Sequence, residues 1–374
     1  MRPIVYIDPQ SYQNLAIYDY SLLSNIDGDI HYVCSKLYNY KQLPPNIRQH
    51  RLFEYSKYRQ KPLKAISYIF TCLLLAWRLI WWRPSVIHVQ WFRIPAFDAR
   101  FYILMKRVLG CKIVFTAHNV LPHDTGNRYF SYFDYFYRHI EGIIVHTHAS
   151  KRELKQKMGI EESKIAVIDH GLLQPSYDPE LLDSLKQDLD NHYQLAGKMV
   201  FSSLGYQYYY KGVDLLVEVW ATTPELCNND KCKLLLIGKN RGVDLSRAEG
   251  IKNIMIEDRI TSDEEFCYLM KHTGISLLPY RTISQSGLLL TSIYFGTPFL
   301  VTNVGGLAEP LDIAPVGWLL PQLSKDALRQ QLLWFLNHPE EVWATKANQA
   351  NWDKLRQHYS WERIGALTQA IYLA

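Results

Sequence analysis

With 374 residues, 48% of them hydrophobic and 21% charged, the chain is too apolar to be disordered and too long for one ordinary core, so two domains of roughly 150 to 200 residues are expected. Its 41 basic and 36 acidic residues leave a net charge of +5, which argues against the dense basic face of a nucleic-acid binder despite 26 tyrosines and 10 tryptophans that could stack on bases. The six cysteines are scattered without a C-x-x-C pair, as expected in a reduced, cytoplasmic setting, and MRPIVYIDP enters a strand-like run at once, so no secretory leader is expected.

In chain order, apolar runs at PIVYI (3–7), DIHYVC (29–34), SVIHVQW (85–91), KIVFTAH (112–118), GIIVHTH (142–148) and KIAVIDH (164–170) alternate with helix-like stretches. Continuous apolarity in such runs predicts a parallel sheet covered on both faces. Between the second and third runs lies AISYIFTCLLLAWRLIWW (65–82), with 13 uncharged residues before Arg78, preceded by Lys57, Arg59, Lys61 and Lys64. That is fewer than the roughly 20 a bilayer span needs. Two readings stay open: a helix mostly buried in its own domain, or an interfacial helix through which residues 57–83 make a peripheral contact with an anionic membrane surface.

The fourth run ends in FTAHNVLPHD (115–124), with His118, Asn119 and His123 gathered at one strand end, where open α/β sheets collect ligands. His146 and His148, at another strand end, take no assignment from sequence. A polar stretch (172–198) interrupts the rhythm, which restarts at MVFSSLG (199–205), KLLLIG (233–238), NIMIED (253–258), GISLLPY (274–280) and PFLVTN (298–303). The first domain is expected at 1–172, joined by a terminal helix at 359–374, and the second at 198–358.

In the second domain Gly205 ends a strand, a tyrosine-rich loop follows, and Lys211-Gly212 opens a helix. A lysine beside free helix-end amides suits a phosphate. The loop carrying Arg281 leads to Ser286-Gly287 at another helix start, so both strand-end loops favour the same anion. Gly305 and Gly306 follow a later strand, with Glu309 just beyond.

In this order and spacing, FTAHNVLPHD, the G-x5-K-G turn at 205–212, LPYRTISQSG (278–287), the G-x-P of Gly296 and Pro298, VGGLAE (304–309) and the terminal SWERI resemble the retaining, nucleotide-sugar-dependent glycosyltransferases of glycosyltransferase family 4. The resemblance implies an α/β fold of GT-B type, two doubly wound Rossmann-like domains facing a central cleft. It implies a nucleoside-diphosphate sugar as donor substrate, no further cofactor and no metal, with a glycan or lipid-linked glycan as acceptor, and Lys211, Arg281, Gly205, Ser286, Gly287 and Glu309 on the donor side. Arg259 and Ile260 would lie near the base, His118 near the anomeric carbon, and Asn119 and His123 toward the acceptor. Lys211 and Arg281 would stabilise the departing diphosphate, as charge builds on its oxygens.

The chain departs from the family in two places. From Phe266 to Ala308 it has no Asp or Glu, so the usual pair of glutamates is missing, and Thr291 or Ser284 would stand there as neutral groups. Glu309 lies too far along to be either glutamate. Tyr206 replaces the arginine that often follows the first glycine of the G-x5-K-G turn, a loss Arg281 could offset. These losses keep a non-catalytic binding protein, and a nucleotide-sugar epimerase of the same fold, as alternatives to a transferase.

Overall fold

The computed structural model describes residues 2–121 and 127–374. The chain divides into two compact units, residues 1–171 with 359–374, and residues 172–358.

The first unit holds a seven-stranded parallel sheet of order β3-β2-β1-β4-β5-β6-β7. Its strands are β1 (Ile4–Asp8), β2 (Ile30–Ser35), β3 (Ile47–Phe53), β4 (Val86–Val89), β5 (Lys112–Thr116), β6 (Gly142–Val145) and β7 (Ile165–Val167). Ile4 stands opposite both Ile30 and Val86, so β1 is central and the strand order reverses between β1 and β4. β1, β2 and β4 are buried along almost their whole length, as a sheet covered on both faces requires. One face packs against the helices Lys61–Trp82, Pro95–Leu109 and Phe130–His139, and the other against Asn14–Leu23 and the terminal helix Trp361–Leu373. Gly171 lets that last helix approach: a Cβ there would stand 2.3 Å from the Trp361 ring.

The second unit repeats the plan with six parallel strands in the order β10-β9-β8-β11-β12-β13. They are β8 (Met199–Leu204), β9 (Cys232–Ile237), β10 (Ile254–Glu257), β11 (Ile275–Leu278), β12 (Phe299–Thr302) and β13 (Gly317–Leu320). The polar stretch after residue 172 is not a bare interruption. It carries the helix Pro179–Tyr193, whose first turn is capped by the Asp178 carboxylate and which buries Leu182 and Tyr193 in this unit.

The helix Lys61–Trp82 corrects one expectation. It runs 22 residues, long and apolar enough to cross a membrane by length and composition, yet only the stripe of Tyr68, Thr71, Cys72, Leu75 and Leu79 is buried. It is therefore not mostly buried in its own domain. It also joins β3 to β4, two strands of one sheet, so both of its ends are tied to the same unit.

Candidate functional site

In the second unit β8 and β11 are neighbours from which the chain winds outward in opposite directions. Such a switch point leaves a crevice at the carboxyl ends of the two strands. Gly205 ends β8 with φ of 83°, and Gly238, at the end of β9, lies so close that a Cβ on it would stand 1.9 Å from the Gly205 carbonyl oxygen. Gly212 takes φ of 71° and presses on Pro279, where a Cβ would meet the carbonyl oxygen at 2.1 Å. These contacts draw the Gly205–Gly212 loop onto the loop after β11, and Lys211 lies between them.

Lys211 is 9% exposed, and its ammonium takes no hydrogen bond or ion pair among the described residues. The Tyr280 ring centroid lies 5.8 Å from it, and a Cβ on Gly205 would stand 4.0 Å away. Burial pulls its pKa down from 10.5 to about 8. Lys346 is half-buried, with a pKa also near 8, but its ammonium donates to the Lys271 carbonyl at 2.9 Å and to that of Thr273 at 2.5 Å. One lysine has its acceptors built in; the other lacks them, which is the condition of a group that takes an external anion.

Arg281 lies on the same two loops, its backbone N–H donating to the Tyr210 carbonyl at 2.7 Å, but its guanidinium is matched by Asp214 in a bidentate pair of 2.7 and 2.8 Å. Ser286 caps the helix Gly287–Phe295 by accepting from the Leu289 N–H, and its hydroxyl lies 3.4 Å from that of Tyr280. Thr291 turns its hydroxyl back onto the Gly287 carbonyl at 2.9 Å. The Gly306 N–H donates to the Ser284 carbonyl, which brings the glycine turn and half-buried Glu309 onto the same loop. Arg259 and Ile260 follow β10, two strands from β8. Arg259 pairs there with Glu257 and Glu265, and Ile260 is 70% exposed. The structure thus gathers Lys211, Arg281, Ser286 and Gly287 and leaves Arg259 and Ile260 on the outer strand.

In the first unit, side chains from the ends of β4, β5, β6 and β7 converge: Gln90 and Trp91, His118, His146 and His170, around Tyr18. Asn119 is half-buried beside them, and His123 lies outside the described residues. Burial holds the four histidines 88, 118, 146 and 170 below their ordinary pKa, so all are neutral at pH 7. Neutrality then fixes where their protons sit. The Ile168 carbonyl, 2.8 Å from His146 Nδ1, can only accept, so that nitrogen carries the proton and His146 Nε2 is a lone pair. His118 Nδ1, 3.1 Å away, must donate to it, leaving His118 Nε2 as an acceptor 2.9 Å from the Gln90 side-chain amide. The amide's oxygen and nitrogen are interchangeable by rotation, and this network requires its NH2 to face His118. Trp91 stacks on the His118 ring at 4.5 Å and 3°, and its buried indole N–H finds no acceptor among the described residues.

The sequence singled out His118 but not Gln90, Trp91, His146 or His170, which lie on three other strand ends. The only available signal was that SVIHVQW, GIIVHTH and KIAVIDH all end in polar or aromatic groups. Two Asp-x-Asp triplets occur, 27–29 and 188–190. Asp29 pairs with Arg48 and Asp190 accepts from Tyr268, and no cluster of three or more potential metal ligands exists among the described residues.

Two parallel α/β sheets in successive domains are the plan of a GT-B protein, and the family models agree. The model described as Glycosyltransferase Family 4 matches residues 28–172, and Glycosyl transferases group 1 matches residues 197–338. The chain is a glycosyltransferase, its first domain matching the family 4 model and its second the group 1 model. No curated protein matches it in a sequence search. Among solved structures it is similar to a sucrose-phosphate synthase from Thermosynechococcus elongatus, at 15% identity and a TM-score of 0.72, covering 100% of this chain and 98% of that one. Anabaena HepE in complex with UDP-glucose gives 12% identity and a TM-score of 0.68 over 98% and 99%. WaaG, a glycosyltransferase involved in lipopolysaccharide biosynthesis, gives 15% and 0.67 over 99% of both chains.

Proposed function

We propose that the chain is a retaining glycosyltransferase that moves a sugar from a nucleoside-diphosphate sugar to a hydroxyl of a glycan or lipid-linked glycan, without a metal and in the cytoplasm. The observation that carries this reading is Lys211, a side chain nine-tenths buried at the switch point of the second sheet whose ammonium has no internal acceptor among the described residues. Its charge, the first-turn amides of Val213–Ala221 and those of the helix after Ser286 suit a diphosphate, whose leaving oxygens gain charge as the glycosidic bond breaks. The neighbour solved with UDP-glucose supports a sugar nucleotide as donor, and the one from lipopolysaccharide biosynthesis supports a lipid-linked acceptor. Because Arg281 is matched by Asp214, Lys211 is the cation we assign to the phosphates and Arg281 the residue that holds the Lys211 loop in place.

In this reading His118 accepts a hydrogen bond from a sugar hydroxyl through Nε2, replacing Gln90. The test is calorimetric titration with UDP, GDP, ADP and CMP, followed by the sugar conjugates of whichever nucleotide binds. Base-selective binding that Lys211→Ala abolishes supports the assignment; binding unchanged by that substitution overturns it.

A further inference from the structure

The helix Lys61–Trp82 turns a second apolar stripe outward. Ile66, Phe70, Leu73, Trp77, Ile80 and Trp81 recur every three or four residues on the side opposite Tyr68, Cys72, Leu75 and Leu79, with Phe70 61%, Trp77 71% and Trp81 80% exposed. Soluble proteins rarely leave so long an apolar stripe in water. The neighbouring helix Pro95–Leu109 covers the same face of the sheet and adds Leu104 and Val108, each more than half exposed.

The charge around this surface is mostly of one sign, although Glu54 pairs with Lys57 and Glu141 with Lys106 at its edges. From Tyr55 to Leu121 the chain has eleven Lys and Arg and a single acidic residue, Asp98, which is fully buried. Lys57, Arg59 and Lys61 stand exposed at the start of the first helix and Arg83 just past its end, while Arg100 and Arg107 lie on the exposed side of the second. We propose that this two-helix face docks on an anionic membrane surface, with the apolar stripe at the acyl boundary and the flanking cations among the headgroups.

Two other occupants fit less well. A second copy of the same face would set an excess of cations against cations, since its two carboxylates, Glu54 and Glu141, are already paired with Lys57 and Lys106. A membrane-spanning helix would have to leave the sheet, although Tyr68 donates to Asp98 at 2.9 Å and both helix ends lead into β-strands of one sheet. The stripe also lies along one side of the helix only, which suits a helix lying in the interface rather than across it.

Vesicle co-sedimentation without nucleotide tests the docking separately from transfer chemistry. The wild-type protein should bind vesicles of three parts phosphatidylcholine to one part phosphatidylglycerol, bind pure phosphatidylcholine much less, and be released by alkaline carbonate. The variant with Trp77→Ser and Trp81→Ser, both surface positions, should lose at least tenfold in binding while melting like the wild type. Changing Lys57, Arg59, Lys61 and Lys64 to Ser should cost a further several-fold per exposed cation, at about fivefold for each basic residue near an anionic surface. Absence of binding to anionic vesicles, binding indifferent to the tryptophans, or resistance to carbonate would each overturn the proposal. So would a lipid-free dimer that dissociates in the tryptophan variant.

Discussion

Lys211→Met removes the ammonium and keeps the length of the side chain, and it should stabilise the protein while abolishing nucleotide binding. Burial lowers the Lys211 pKa from 10.5 to about 8. At about 1.4 kcal/mol per tenfold, that gap corresponds to a folding cost of about 3 kcal/mol. The sign follows from proton counting: between pH 8 and 10.5 the unfolded chain holds a proton there that the folded chain has released, so the wild type gains stability as pH rises through that window, and the full cost stands below it. The methionine variant should therefore be more stable than the wild type by up to about 3 kcal/mol at pH 7, with the difference vanishing near pH 10.5. Lys346→Met is the control. It relieves a similar burial cost but leaves the Lys271 and Thr273 carbonyls without their donor, so it should gain less stability than Lys211→Met. Urea unfolding at pH 7 and pH 10 reads both. Calorimetry of UDP binding in buffers of differing ionisation heat adds a second reading: near pH 8, where Lys211 is half-protonated, binding should take up about half a proton. A Lys211→Met protein no more stable than the wild type, or one that binds UDP with the same affinity and proton uptake, would mean that Lys211 is not the desolvated cation that meets the phosphates.

Further outcomes follow from the same geometry. His118→Ala should abolish transfer while leaving UDP affinity nearly intact, because its ring belongs to the first unit and the phosphate cation to the second; equal loss of UDP binding in the His118 and Lys211 variants would contradict that division. Nitrogen-15 NMR of histidine-labelled protein should find His118 neutral and protonated at Nδ1, and His146→Phe, which removes the acceptor, should move that proton to Nε2; an Nε2-protonated His118 in the wild type would break the chain of donors drawn here. Gly238→Ala should destabilise the second unit by about 2 kcal/mol or more, since φ is 147° and the added Cβ would stand 1.9 Å from the Gly205 oxygen; thermal unfolding checks it.

How much of this was legible in the sequence depended on burial. Nine of the eleven strands visible as apolar runs lie inside their sheets and two, β7 and β10, lie at edges, whereas both strands that no apolar run marks, β3 and β13, are edge strands. β3 reads IRQHRLF because only its ends are buried, and an edge strand covered on fewer sides has no need of a continuous apolar run. The helix 61–82 illustrates the converse. Its apolar residues are so continuous that the buried stripe and the exposed stripe look alike in sequence, and only the packing of Tyr68, Cys72, Leu75 and Leu79 separates them. At the candidate site the residue types were visible and their partnerships were not. Arg281 and Lys211 both read as free cations, but Arg281 meets Asp214, 67 positions earlier, while Lys211 meets no carboxylate at all among the described residues. Likewise His118 stands in sequence beside Asn119 and His123, yet its proton is placed by a carbonyl at Ile168 acting through His146, a relation that exists only once β5, β6 and β7 lie side by side. Pattern thus shows which groups are present at a strand end. Which of them keep an internal partner is decided by pairing across strands: among the described residues that pairing leaves Lys211 without an acceptor, whereas His118 Nε2 faces the Gln90 amide, which a hydroxyl would have to displace.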